Sequence, residues 1–587
     1  MNPQFLQKQY IAWLVPVLCL GIAFFHGIFL YGGSSGRDDI YITYAAAQAL
    51  SDLNKFVNYN GEAIEQSTSL LHVIILAILH KISNIDIPVI GLYFSILMGG
   101  FTILAAWRLA IFLEMPFAWF VAVFCALFPY LVYWSFGGLE TPLVAFIVIL
   151  LVYSISKLLV EKVSVLKVIL LILGIFAYIL SRPEAIFILL TSVIGIASYL
   201  FIQNKYNNFT YDKNYYLKLV TIGSISLILF IIVSLWRYMI FNQIFPQPVY
   251  AKVGLDLLTN LKGFLGYFLD DFWIPSLVIL VALSVFTIYK TLVNPSDEKE
   301  SIKLITLTSF IVATLAFIIT TGGDWMEGGR FLVPILPTLV ILGIYILPKF
   351  TKSIAYIILL FLALATIFDT VNFVRYKSTG IPLWLTKTIY TPVLRDFNIK
   401  NDKFFWFERN NQIHLRDIPF IIVLDEVVRH LLIANYTPIR IFTNQMGMIP
   451  FYITQNRFGM IKWVDRAGLV TNDFLKCDLT NQFSKSKMGT LVEIPYFLSN
   501  FNEINSRCNI QRPDIIYGLG LGNFYKERTV GYKIFYVQEG LIHSYYNLYS
   551  ARVDQFLAIR EDLFNKISLN PRFYKWPNSS NRYRTAH

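Results

Sequence analysis

From Ile11 to about Thr370 the chain returns repeatedly to apolar runs of the length that crosses a bilayer, roughly 17–25 residues of helix. Nothing else in the sequence limits the fold as strongly. Backbone in hydrocarbon must satisfy its own polar groups, and long unbroken apolar runs do so as packed helices. Candidate spans lie at about 11–31, 87–113, 117–134, 141–160, 164–181, 184–203, 217–240, 273–292, 302–320, 331–348 and 351–371, which makes about 11. The run from Thr68 to Ile82, carrying His72 and His80, is about half a membrane thick and reads as a re-entrant or tilted half-helix. Composition agrees: of 587 residues 56% are hydrophobic and 15% charged, against about 25% charged in soluble domains. The first run has Lys8 ahead of it and no small-residue cleavage pattern behind it, so it reads as a retained span rather than a signal peptide.

The net charge of +12 would suit nucleic acid, but much of it lies in short loops between spans, where it reports orientation. No nucleic-acid partner is expected; the lipid bilayer is. With the half-helix set aside, Lys8, Lys162, Lys167, Lys205, Lys213, Lys218, Lys290, Lys299, Lys303, Lys349 and Lys352 fall on one side. The positive-inside rule makes that side cytoplasmic. An odd number of spans then puts the N-terminus inside and the C-terminal region outside; counting the half-helix as a full span would reverse every later loop.

Past about Val371 charges and amides become frequent and no apolar run is long enough to span. Residues 1–371 are therefore expected to form a transmembrane domain and 372–587 an extracytoplasmic α/β domain. Ile439 to Thr443, Met460 to Val464 and Pro513 to Gly518 read as short strands of that domain. Cys19 and Cys125 lie in apolar runs and read as inert core residues, whereas Cys477 and Cys508 would pair in an oxidising compartment.

On this topology every outward loop before the final domain brings carboxylates, cations or both. The first holds Arg37, Asp38, Asp39, Asn58, Glu62 and Glu65; the second Glu140, in FGGLETP; the third Arg182 and Glu184 in a tight hairpin. The fourth holds Arg237 and PQPVYAK, with Tyr250 and Lys252; the fifth is GGDWMEGGR, with Asp324, Glu327 and Arg330. Behind the acidic pair, Ile40, Tyr44 and Ala47 recur at helical spacing, so a short helix is expected along the bilayer surface with its polar start toward water. Bland readings exist for each group: an N-cap for Asp38 or Asp39, an interfacial salt bridge for Asp324 and Arg330, a snorkelling Lys252. Convergence of five loops on one rim favours a shared polar site instead, because ionisable groups near membrane depth face cavities or one another. Such a site suits group transfer from a lipid phosphate: a carboxylate takes a proton from an incoming hydroxyl, and Arg and Lys hold the leaving phosphate. A transporter or lipid flippase is the alternative from another class, but transporters place polar groups near the midplane and often show internal repeats, and neither is evident here.

Asp38-Asp39-Ile40-Tyr41-Ile42, Asn58-Tyr59-Asn60-Gly61-Glu62 and Glu65-Gln66-Ser67-Thr68-Ser69 resemble the pattern DDAYI…VYNPGE…VEGYTN. That pattern marks bacterial polyprenyl-phosphate-dependent glycosyltransferases of the GT-C fold, among them mycobacterial terminal β-(1→2)-arabinofuranosyltransferases and type IV pilin arabinosyltransferases. WSFGGLETP (134–142), SRPE (181–184), PQPVYAK (246–252), GGDWMEGGR (322–330), QMGMIPFY (445–452) and RPD (512–514) extend the resemblance in order. The resemblance implies an inverting enzyme on the outer face of the bacterial inner membrane, with Asp38 as the catalytic base and Asp39 in support. It implies a polyprenyl-phosphate-linked sugar donor, an arabinofuranosyl group first among candidates, and a glycan or pilin-like protein acceptor. Glu65, Glu140, Arg182, Glu184, Tyr250, Lys252, Asp324, Glu327 and Arg330 become substrate-binding candidates, with Arg182, Lys252 and Arg330 toward the phosphate. No cofactor is expected, and a divalent metal held by the paired acids is the less favoured option. Two departures, Gln66 to Ser69 for Gly-Tyr-Thr-Asn and the missing proline between Asn58 and Glu62, bear on which sugar is moved more than on the reaction class.

Overall fold

A computed structural model describes residues 17–27, 38–206, 211–252, 257–268, 274–293 and 297–376 except 325 and 327. Farther on it describes 421–471 except 422, 444–445 and 466–467, then 484–486, 489–491, 501–519, 532–537, 555–567 and 574–575. Seven described helices are long and apolar enough to cross a membrane: Ile87–Phe112, Thr141–Val160, Ala185–Tyr206, Lys213–Phe241, Pro275–Val293, Glu298–Thr321 and Lys352–Val371. An eighth span is broken into Ala118–Leu127 and Pro129–Ser135, bent by 63°. Pro129 accounts for the break, since its ring clashes with the preceding turn and it has no N–H to donate back. Shorter apolar helices at Val17–Gly27, Val165–Ser181 and Val333–Lys349 occupy the other expected spans. Leu70–Ser83, 14 residues long, stands where the half-helix was expected. The chain is a multi-pass helical membrane protein with a C-terminal α/β region.

Thr141–Val160 and Glu298–Thr321 run through the middle of the bundle, each with 67% of its apolar window buried, against 22% for Lys213–Phe241. On that peripheral helix Leu227, Ile228, Ile231, Ile232 and Leu235 stay exposed, as a lipid-facing surface requires. Helix ends are made by residues that tolerate left-handed backbone: Asn54, Asn84 and Asn242 cap three C-termini at φ of 52°, 57° and 55°.

The C-terminal region builds a six-stranded sheet from β1 (Ile439–Thr443), β2 (Ile461–Asp465), β5 (Ile515–Leu519), β6 (Tyr532–Val537), β7 (Gln555–Arg560) and β8 (Tyr574–Lys575), in the order β2-β1-β5-β7-β6-β8. Two short strands, β3 (Ser484–Ser486) and β4 (Gly489–Leu491), pair separately. β1 pairs parallel with β2 and β5; β5, β7, β6 and β8 pair antiparallel in turn. All three strands expected from sequence are present, within two residues of the expected bounds. Ile439, Ile441, Trp463, Ile515, Tyr517, Leu557 and Ile559 are fully buried in its core. Cys508 is disulfide-bonded and Cys19 and Cys125 are free and buried; Cys477 lies outside the described residues, as does Glu327.

This domain docks on the loops of one rim of the bundle through side-chain amides. Asn60 donates to Trp463 O at 3.0 Å and accepts from Trp463 N at 2.7 Å, continuing the edge of β2 as a strand would. Asn58 donates to Val470 O at 2.8 Å, and the buried Gln247 donates to Gly468 O and Thr471 O, both at 3.1 Å. At the opposite rim Lys218 donates to Leu158 O and Leu159 O, and Lys303 to Phe112 O.

Candidate active site

The helix Ile40–Leu53 begins immediately behind the acidic pair. Ile40, Tyr44 and Ala47 are buried, as their spacing predicts. The polar start of the helix was expected to face water along the bilayer surface; instead the helix packs between Leu70–Ser83 and Met448–Thr454 and is covered by the C-terminal domain. Asp39 occupies the N-cap position yet makes no side-chain capping bond, so the cap reading fails for it. Asp38 Oδ1 accepts a hydrogen bond from Met448 N at 2.7 Å. Burial first, then the neighbouring Asp39, push the Asp38 carboxyl up to about 7, against the opposing pull of the Met448 amide.

Beside the pair opens a cavity of about 460 Å³ to which all five loops contribute. Asp39 lines it with Gln66, Ser67 and Thr68; Glu140, Arg182, Glu184, Lys252, Asp324 and Arg330 supply most of the remaining charge. Phe245, Phe317, Phe331, Leu139, Val249 and Leu469 make its apolar wall, the last of them from the C-terminal domain. The cations are arranged unequally. Arg182 bridges two carboxylates, with Nη1 2.7 Å from Glu140 Oε1 and Nε 2.6 Å from Glu184 Oε1. Arg330 Nε lies 2.6 Å from Asp324 Oδ2, the salt bridge that the fifth loop alone suggested. Both guanidiniums lie about one ring's width from Phe331, 5.2 and 5.4 Å from its centroid. Lys252, by contrast, has no ion-pair partner among the described residues.

These pairings set the protonation states. Burial works against the charge on Glu140, but Arg182 and Arg330 outweigh it and hold the carboxyl below its usual range. Asp324 is likewise held low, burial being overcome by Arg330, Lys252 and Arg182. For Lys252 burial wins and the ammonium is easier to deprotonate than usual, with Asp324 attracting its charge and Arg330 repelling it. Gly323 admits the fifth loop to this crowded place: at φ +78° a Cβ there would sit 2.5 Å from the Tyr267 ring.

Three candidates do not line the cavity, and Asp38 is one of them: it lies behind Asp39, against Met448 of the C-terminal domain. Glu65 is a bidentate partner of Arg237, at 2.9 and 3.1 Å, both nearly inaccessible; it faces a small separate void while its neighbour Gln66 lines the cavity. Tyr250 is 40% exposed. It sits two residues before Lys252 on the short helix Gln247–Lys252, about 200° around the axis, so the two side chains face opposite ways. Sequence reasoning named Met448 and Gln247 only as parts of motifs, without roles; a backbone N–H donor leaves no mark on residue identity. The Glu65–Arg237 pair did have a signal, an arginine inside an apolar run that calls for a buried carboxylate.

The fold and site together define a multi-pass membrane protein with a charged cavity at the rim that carries its α/β domain. No protein-family model matches the sequence, and no curated protein is significantly similar to it. Among solved structures the chain is similar to ArnT from Cupriavidus metallidurans, at 12% identity and over 94% of this chain and 99% of that one, with TM-scores of 0.49 in the apo state and 0.48 bound to undecaprenyl phosphate. It is also similar to the archaeal oligosaccharyltransferase AglB from Archaeoglobus fulgidus, in complex with an inhibitory peptide and a dolichol-phosphate, at 10% identity and TM-score 0.47, over 95% and 77% of the two chains. With these TM-scores below 0.5, the functional reading rests on the site itself.

Proposed function

We propose that the chain is an inverting glycosyltransferase of the GT-C type, moving a single sugar from a polyprenyl-phosphate donor to a hydroxyl of a glycan or pilin-like protein. One observation carries this reading: Asp39 of the acidic pair, a lysine with no ion-pair partner among the described residues, two arginines and an apolar wall meet around one cavity at the domain-bearing rim, with Asp38 adjoining Asp39. Asp38 is the base. Met448 fixes one of its oxygens, leaving Oδ2 for the proton of the acceptor hydroxyl, and its raised pKa matches that task near neutral pH. The acceptor oxygen attacks the anomeric carbon from the face opposite the phosphate. The bond from that carbon to the phosphate oxygen breaks, and the electron pair leaves with the polyprenyl phosphate. Lys252, helped by Arg182 and Arg330, stabilises the charge that grows there. Glu140, Glu184 and Asp324 orient the arginines and offer acceptors to sugar hydroxyls, and the apolar wall takes the first isoprene units.

The resemblance of the sequence blocks favours arabinofuranose as the sugar. The lysines of the opposite rim favour a cytoplasmic N-terminus and a periplasmic C-terminal domain in a bacterial inner membrane. The cations of the wall supply the charge that a metal would bring, so transfer proceeds in a chelator. The test uses purified protein with a radiolabelled polyprenyl-phosphate pentose and acceptor glycan. Asp38→Asn is expected to abolish transfer while retaining donor binding, with wild-type activity unchanged in EDTA; full activity of Asp38→Asn would remove Asp38 as the base.

A further inference from the structure

Asp38 is held by residues more than four hundred positions away in the chain, and the hold is unusually tight. Besides the 2.7 Å bond from Met448 N to Oδ1, Gly447 lies so close that a Cβ on it would be 2.1 Å from Asp38 Cγ and 2.3 Å from the Asp38 carbonyl oxygen. One of those atoms is backbone, so a larger residue could not be accommodated by a side-chain rotation. The Gly447–Met448 turn is itself pinned from the membrane side: the fully buried Tyr59 hydroxyl bridges Gly447 O at 3.2 Å and Tyr41 O at 3.1 Å. The Tyr41 ring packs on Phe451, 5.3 Å between centroids. No lysine or arginine among the described residues pairs with Asp38, although three cations line the neighbouring cavity.

That choice of partner matters chemically. A cation at Asp38 would lower its pKa by about 1–3 units and weaken it as a base. A neutral amide fixes one oxygen, costs less basicity, and leaves the other oxygen able to take a proton. We propose that the Gly447–Met448 turn is a positioning element of the catalytic centre, through which the docked outer domain aims the Asp38 carboxylate at the acceptor hydroxyl. The proposal rests on Asp38 being the base. It makes the outer domain a part of the active site rather than only an acceptor platform.

The test compares Met448→Pro with Met448→Ala in the full-length enzyme, measuring kcat and donor KM across pH with the radiolabelled polyprenyl-phosphate pentose. Both variants lose the buried side chain. Only proline removes the N–H, and the first turn of a helix accepts proline. The amide favours the ionised carboxylate, so Met448→Pro is expected to move the acid limb of the kcat profile up by about one to two pH units relative to Met448→Ala. Gly447→Ala is expected to lower kcat about 100-fold while donor KM holds, as displacement of a reacting group by an ångström does. Superimposable profiles for the proline and alanine variants would overturn the proposal, and inactivity of Asp38→Asn alongside them would show the base assignment still standing. An active Asp38→Asn enzyme would instead remove the base, and this inference with it. Should Met448→Pro fail to fold, Tyr59→Phe, which releases the turn from the membrane domain, decides by the same limb: a shift supports the positioning role and an unmoved limb overturns it.

Discussion

The two rims of the bundle both carry cations and use them differently. At the rim away from the domain, Lys218 donates to Leu158 O and Leu159 O at 2.8 and 3.0 Å, Lys303 to Phe112 O at 3.0 Å, and Lys167 lies 2.6 Å from Glu161. Lys218 and Lys303 complete the open carbonyl ends of helices and meet the negative end of the helix dipole, and Lys167 pairs with a carboxylate of its own loop. At the domain-bearing rim Arg182 reaches Glu140 from another loop as well as Glu184 from its own, Arg330 pairs within its loop, and Lys252 lines a cavity with no ion-pair partner among the described residues. A lysine bonded to a helix end is part of the fold. A buried lysine with no ion pair among the described residues, whose charge burial disfavours, gains most from an anion that is not part of the protein.

The contrast breaks most sharply at Arg182. Replacing it by leucine leaves Glu140 and Glu184 buried without their shared partner, and removal of one side of a buried ion pair costs about 3–5 kcal/mol. Arg182→Leu is expected to lower the unfolding temperature in detergent markedly and to abolish transfer; a stable, active variant would mean the cluster is not organised by this cation. Lys252→Met should do the opposite. With no ion pair to lose, its fold is expected to stay intact while kcat/KM for the donor falls about 100-fold, close to 2.7 kcal/mol of transition-state stabilisation, with partial recovery in Lys252→Arg. Equal donor kinetics in Lys252→Met and wild type would show that the unpaired lysine is not for the phosphate.

A third measurement sharpens the domain side of the same rim. A base at Asp38 would work only when ionised, and burial with Asp39 nearby raises its carboxyl to about 7. Activity should therefore be full above that pH and fall about tenfold per unit below it. An acid limb near pH 4 would mean that Asp38 titrates like a solvated carboxylate and is not the base.

Much of this architecture was legible before any coordinates. Run length alone marked the spans, since hydrocarbon admits so few backbone conformations, but it did not mark the break at Pro129 inside the run read as one span at 117–134. The meeting of five loops also followed, once the lysines had fixed a side for each. What stayed hidden was pairing. Asp324 and Arg330 are neighbours in sequence and their bridge was foreseeable, whereas Arg182 takes Glu140 from another loop and no spacing encodes that. The tie between Asp38 and the Met448 amide is less visible still, because every residue but proline offers the same donor. Tyr250 shows the remaining limit: it shares a motif with Lys252, but the few residues of a short helix turn the two apart.

The smallest effect is expected at the opposite rim, where it tests whether the lysines there are only structural. Lys218→Met removes two bonds to helix-terminal carbonyls from a half-buried side chain that keeps its methylene packing in methionine. Those carbonyls lie at a helix end where water replaces the ammonium, so the loss should be about 0.3–1 kcal/mol, seen as a small drop in thermal stability. Donor KM and kcat should not move, because the helix Thr141–Val160 separates these carbonyls from Glu140 by the full length of a span. A large change in transfer rate in Lys218→Met would erase the distinction between the rims, and would mean that charge at the lysine rim is felt in the cavity through that helix.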